Sequence, residues 1–166
     1  MAVERDREVN ILAYILMPNH FHLLLEPLNE GGISSFLHKV CMGYTHYFNK
    51  KNDRSGVLFQ GRFKSVHVES HAQFEHLPRY IHLNALDLYD TSWREGEIKD
   101  WDKAFQFVDN YPWSSHHDYM GRKQDLPIIT RQSYQKLFET QEDYVAHLRE
   151  RSIPPPPGGG GEEWWW

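Results

Sequence analysis

From Val9 to Met17 the chain is apolar and rich in strand formers, Pro18-Asn19 is a turn pair, and His20 to Glu26 is a second extended run. The pattern predicts a tight hairpin with the two histidines on its return strand. Gly31-Gly32 then breaks the chain ahead of Ile33, Phe36, Leu37, Val40, Tyr44, Tyr47 and Phe48, whose spacing traces one helical face and predicts a helix lying on the sheet. Lys50 to Gly56 is a polar, basic loop. Val57 to Glu69 reads as a further strand of poor alternation, hinged at Gly61. A second helix is predicted over His71 to Asn84, with Phe74, Leu77 and Ile81 facing the core and a kink at Pro78. Asp100 is placed to cap a short helix that turns Trp101, Ala104, Phe105 and Val108 inward. Thr130 and Thr140 are candidate caps for two more, the latter with Asp143 in a capping-box spacing. Residues 1–152 form one domain on this reading. Residues 153–166 carry only proline, glycine, glutamate and tryptophan after Ile153 and are expected to be disordered.

Composition narrows the class. A chain of 166 residues, 40% hydrophobic and 14% aromatic, is long enough for a real core. The charged start (Glu4, Arg5, Asp6, Arg7, Glu8) resembles no signal peptide, and no run is long enough to span a bilayer, so a cytoplasmic protein with no membrane partner is expected. Cys41 is the one cysteine, which excludes an internal disulfide and a multi-cysteine zinc site; on its helical pattern it reads as a buried small residue.

The net charge of −5 speaks against a nucleic-acid partner, but its distribution does not. Between Ile33 and Leu83 seven basic residues (Lys39, Lys50, Lys51, Arg54, Arg62, Lys64, Arg79) face three acidic ones, in company with Tyr44, Tyr47, Phe59 and Phe63. Basic side chains interleaved with aromatics suit a groove that neutralises phosphates and stacks on bases, but on composition alone the plainer reading, a solvated face above core aromatics, is favoured.

The chemistry starts at His20-Phe21-His22. Alternation along a strand sends both imidazoles to one side and Phe21 to the other, which makes half of a divalent-metal site that needs a ligand from elsewhere. Tyr80 and Asn84, four apart on the second predicted helix, share a face and supply an amide oxygen and a phenol beside the same ion. A hydroxyl nucleophile, a divalent cation and a basic groove together describe phosphoryl transfer on a nucleic-acid backbone. A free phenol has a pKa of about 10, so activation is required; Lys64, Arg79, His76 and His82 are candidates by proximity in sequence. Taken singly, each signal has a plainer reading. A His-x-His on a strand is often structural, Tyr80 is also read as a boundary aromatic, His116-His117 as an exposed pair, and Trp113 with Tyr119 as a hydrophobic clamp.

Five ordered blocks change the weight. The run Ala13 to Leu25 (AYILMPNHFHLLL) resembles the HUH motif region of the REP-associated tyrosine transposases, in the HUH single-tyrosine transposase superfamily. Gly43-Tyr44-Thr45 with Tyr47 to Lys51, Leu58 to Lys64, Arg79 to Asn84, and Trp113-Ser114-Ser115 with Tyr119-Met120-Gly121 are similar to the same family in the same order. The resemblance implies an α+β fold, an antiparallel sheet flanked by helices of the HUH-endonuclease, ferredoxin-like kind. It implies His20, His22 and Asn84 as ligands of Mg²⁺ or Mn²⁺ and Tyr80 as nucleophile. The implied reaction nicks and rejoins single-stranded DNA at hairpins through a 5′-phosphotyrosine, by a monomer or homodimer, with Lys50, Lys51, Arg54, Arg62, Lys64 and Arg79 against the DNA.

Two departures stand out. Family members carry another strand and helix ahead of the position of Asn10, so the sheet is expected to lack its usual first strand and helix and to expose an edge. Ala85 stands where the family usually has proline, which would let the helix run on past Asn84. The alternative reading is a truncated or domesticated module that holds hairpin DNA without cleaving it.

Overall fold

A computed structural model describes residues 7–122, 128–129, 132 and 135–150. Thr130 and the Pro/Gly/Trp tail lie outside the described residues.

Strands β1 (Val9–Leu16) and β2 (Phe21–Pro27) pair antiparallel, with Ile15 opposite His22 and Leu16 opposite Phe21. Met17 N donates to His20 O at 2.8 Å and closes the turn around Pro18-Asn19. The register slips between Ile11 and Ala13, leaving Leu12 without a cross-strand partner; its carbonyl accepts the Tyr119 hydroxyl at 2.6 Å. A bulge thus becomes the point where the hairpin is bolted to the C-terminal half. Among the described residues the sheet has these two strands, flanked by helices in an α+β arrangement. The outer edge of β1 is not bare as expected. Residues 113–115 run along it, Leu16 N donating to Trp113 O at 2.7 Å and Ser115 N to Tyr14 O at 2.9 Å.

Helix α1 (Gly32–Lys51) starts against the sheet but leaves it. Gly32 is buried where an added Cβ would run into the Glu8 carbonyl, so only glycine lets the helix begin this close. Ser35 Oγ and Lys39 Nζ both donate to Glu8 Oε1, tying its first turns to the chain entering β1. From Val40 onward no residue of α1 is buried, and Val40, Tyr44 and Tyr47 are exposed, so the predicted apolar face lies on the sheet only as far as Leu37. Cys41 is half-buried rather than buried.

The expected strand over Val57 to Glu69 does not form: the segment pairs with no strand and makes an irregular strap over β2 and α1. Gly61 adopts φ +90°, which ends an extended run, and the poor alternation offers no buried face to compensate.

Helix α2 (His71–Leu83) is capped by Ser70, whose Oγ accepts from Gln73 N at 3.2 Å, and it continues unbroken through a buried Pro78. Leu77 and Ile81 enter the core, with Phe74 at its margin. At Asn84 the backbone tightens into a 3-10 segment (Asn84–Leu88), so the chain does not run on as an α-helix despite Ala85. A second 3-10 segment, Thr91–Glu95, brings Trp93 into the core. Helix α3 (Trp101–Asn110) has Asp100 as its cap and buries Ala104, Phe105 and Val108. The short α4 (His116–Tyr119) and α5 (Gln141–Leu148) follow, α5 opened by the Thr140/Asp143 capping box. No helix among the described residues is long and apolar enough to cross a membrane.

A buried polar chain locks α2 to β1, α4 and α5. Ser115 Oγ lies 2.7 Å from His82 Nε2, His82 Nδ1 lies 2.9 Å from the Tyr144 hydroxyl, that hydroxyl lies 2.5 Å from His116 Nδ1, and His116 Nε2 lies 2.8 Å from Asp109 Oδ1. The carboxylate accepts only, so His116 Nε2–H donates to Asp109, while the Tyr144 and Ser115 hydroxyls each both donate and accept along the chain, Ser115 Oγ also lying 3.2 Å from Tyr14 O. Every member has a partner at hydrogen-bond distance. His116 is therefore fully buried, contrary to the exposed pair expected of it, because each ring nitrogen has a partner. The expected clamp of Trp113 on Tyr119 is absent too: Tyr119 is fully buried and Trp113 is 60% exposed.

Candidate functional site

His20 and His22 flank Phe21 at the start of β2, and α2 crosses nearby, presenting Tyr80 on its last turn and Asn84 one turn further on. The two imidazoles sit edge to face with ring centres 5.1 Å apart, and the His22 ring centre is 6.2 Å from that of Tyr80. Phe21 points the other way, onto Phe59 at 6.0 Å. Alternation along one strand thus assigns the imidazoles to one side and an aromatic anchor to the other.

Burial pushes the His22 imidazole down to about 4, helped by the neighbouring His20 ring and the Arg94 guanidinium and opposed by Asp87. His20 is lowered in the same way, mainly by burial. Both rings are neutral at pH 7 and available as nitrogen donors. His20 Nδ1 donates to Asn19 Oδ1 at 2.8 Å, which directs its lone pair to Nε2.

Asn84 is fully buried. Its Nδ2 donates to Tyr80 O at 2.7 Å, which leaves Oδ1 as the amide atom turned to the site. There it accepts from Arg94 Nη2 at 2.9 Å; the same nitrogen donates to Asp87 Oδ2 at 2.7 Å, and Nη1 reaches the Tyr80 hydroxyl at 3.3 Å. Trp93 Nε1 holds the other Asp87 oxygen at 2.6 Å. Sequence reasoning missed Arg94 and Asp87. Asp87 follows Asn84 by one turn, which was a usable signal; Arg94 reaches the site only through the fold-back of two 3-10 segments, which no periodicity announces.

Among the described residues no group of three or more His, Cys, Asp or Glu side chains forms a metal cluster. The donor set offered by His20, His22 and Asn84 is two neutral imidazoles and one amide oxygen, with the Asp87 carboxylate behind it. Such nitrogen and oxygen donors fit a divalent cation that keeps positions open for water and a phosphate oxygen.

His22 and Tyr80 line one wall of a cavity of about 1020 Å³ that is roofed by the strap, with Arg62 and Lys64 on the roof. Lys50, Lys51 and Arg54 are exposed beyond it, Lys51 Nζ lying 5.6 Å from the Tyr47 ring and the Arg54 guanidinium 5.7 Å from that of Phe48. Tyr44 links these aromatics to Phe59 at 6.2 Å. Arg79 is the exception among the basic candidates. It is 2% exposed, and its guanidinium donates to the carbonyls of Leu148 and Glu150 on the far side of α2, away from any phosphate. His82 also turns into the buried chain, so it has no access to Tyr80 as an activating base.

A family model described as "Transposase IS200 like" matches residues 2–84. The chain is also similar to a REP-associated tyrosine transposase of Escherichia coli (strain K12), 25% identical over 121 residues that cover 72% of this chain and 62% of that protein. The chain thus spans about three fifths of that relative's length. No solved structure matches.

Proposed function

Because the chain belongs to the IS200-like transposase family, we propose that it nicks and rejoins single-stranded DNA at hairpins, with Tyr80 as nucleophile and His20, His22 and Asn84 holding Mg²⁺ or Mn²⁺. What carries the reading is the approach of His22, beside His20, to Tyr80 on one cavity wall, at 6.2 Å between ring centres. A cation held there would polarise a non-bridging oxygen of the scissile phosphate.

The chain's own groups do the rest. The Tyr80 oxygen bonds to phosphorus, the bond from phosphorus to the 3′-oxygen breaks, and that oxygen leaves as a 3′-hydroxyl once protonated, while the phenolic proton passes to solvent. Tyr80 then carries the 5′-phosphate. A 3′-hydroxyl attacking that linkage reverses the step and joins strands, so no nucleotide cofactor is consumed. Arg94 donates to the Tyr80 oxygen and orients it, while Asn84 Nδ2 ties the Tyr80 carbonyl. Arg62 and Lys64 on the strap, with Lys50, Lys51 and Arg54 beyond it, neutralise phosphates, and Phe59 and Tyr44 offer stacking faces.

The test is denaturing electrophoresis of the protein with a labelled single-stranded hairpin and Mn²⁺. The expected outcome is a denaturant-stable protein–DNA adduct that Tyr80→Phe abolishes. A wild-type chain that binds the hairpin and never forms the adduct would instead be the binding module.

A further inference from the structure

Asn84 Oδ1, the proposed third ligand, already faces a positive charge. Arg94 Nη2 donates to it at 2.9 Å while also holding Asp87 Oδ2 at 2.7 Å. The amide cannot present its oxygen elsewhere, because Nδ2 is committed to Tyr80 O and the residue is fully buried. Resting on the metal-dependent reading above, we propose that Arg94 is a gate on the cation site: its guanidinium holds Asn84 Oδ1 until a divalent cation arrives, and it must withdraw from that oxygen for the His20, His22 and Asn84 set to close.

An amide oxygen has two lone pairs, but a guanidinium and a divalent cation on the same oxygen repel, so a bound cation favours withdrawal of the guanidinium. Arg94 has somewhere to go. Its bond to Asp87 is the shorter of the two, its side chain is 35% exposed, and Asp87 is itself fixed by Trp93. A small swing on the five-residue 3-10 segment Thr91–Glu95 frees Asn84 while the ion pair with Asp87 survives. The gate also explains why a carboxylate sits so near two histidines: Asp87 is the berth for the guanidinium and offsets its charge.

The experiment titrates Mn²⁺ into the full chain without DNA and reads free Mn²⁺ by electron paramagnetic resonance. Arg94→Gln removes the charge and is expected to bind Mn²⁺ about tenfold more tightly than wild type, whereas Arg94→Lys keeps the charge and stays within about threefold. Equal or weaker binding by Arg94→Gln overturns the gate, as does an Arg94→Lys variant as tight as Arg94→Gln. Should circular dichroism show that Arg94→Gln does not fold, Asp87→Asn carries the test. Without its berth the guanidinium concentrates on Asn84, and Mn²⁺ affinity is expected to fall; affinity unchanged or raised overturns the gate. Wild type that binds Mn²⁺ and loses it on His22→Ala upholds the metal reading whatever the Arg94 variants do. Absence of binding in wild type and Arg94→Gln alike overturns that reading and the gate with it.

Discussion

Replacing Tyr144 by phenylalanine removes one oxygen from the middle of the buried chain that runs from Ser115 through His82 and His116 to Asp109. His82 Nδ1 loses its partner at 2.9 Å and His116 Nδ1 loses its partner at 2.5 Å, both on residues with no exposed surface. Each orphaned buried group costs roughly 1–3 kcal/mol. The extra apolar character of phenylalanine and the unchanged ring volume offset part of it, leaving a destabilisation of about 2–4 kcal/mol. Urea denaturation of wild type and variant, followed by tryptophan fluorescence, measures it. The denaturant slope should be unchanged, since the same surface is exposed on unfolding, and the midpoint should fall. A loss below about 0.5 kcal/mol would refute the buried network, because it would mean that neither ring nitrogen depends on that hydroxyl.

Acid should act through His22. Its folded value of about 4 lies below the ordinary 6.5, so its contribution is fully present above pH 6.5 and is lost as pH falls through 4. The shift corresponds to about 3 kcal/mol, and thermal unfolding in chelator should show wild type losing that much more stability than His22→Asn between pH 7 and 4; matching profiles would contradict it. Arg62→Ala and Lys64→Ala, on the strap over the cavity, should each weaken hairpin-DNA binding and lower the salt slope by about 1 in filter-binding assays, whereas an unchanged slope would put those side chains outside the groove.

Local elements were legible because their causes are local. The hairpin turn, the caps at Asp100 and Thr140 and the inward face of α2 each depend on a few neighbouring residues, and the structure has them where the pattern puts them. Properties set by distant partners were not. His116 looks like half of an exposed pair until Tyr144 and Asp109 are brought to its two nitrogens. Trp113 looks like a core aromatic, yet it is its carbonyl, not its ring, that serves the fold by bonding to Leu16 N. The segment from Val57 to Glu69 has strand-forming residues but no face to bury, and Gly61 turns it aside. At the site, His20, His22, Tyr80 and Asn84 were readable from spacing and resemblance. Arg94 was not, since a lone arginine between Trp93 and Glu95 carries no pattern.

The side chain immediately before the proposed nucleophile is buried and tied to the C-terminal helix. Arg79 reaches from the back of α2 to two carbonyls at the end of α5, through bonds that span some seventy residues of sequence. A tyrosine that holds a DNA strand covalently becomes a tether, and any pull on the strand arrives at that turn of helix. Leverage that would peel α2 from the sheet must first draw Arg79 out of its seat against α5. Under the proposed reaction, the C-terminal helix would serve as a mooring post for a strand carried on Tyr80.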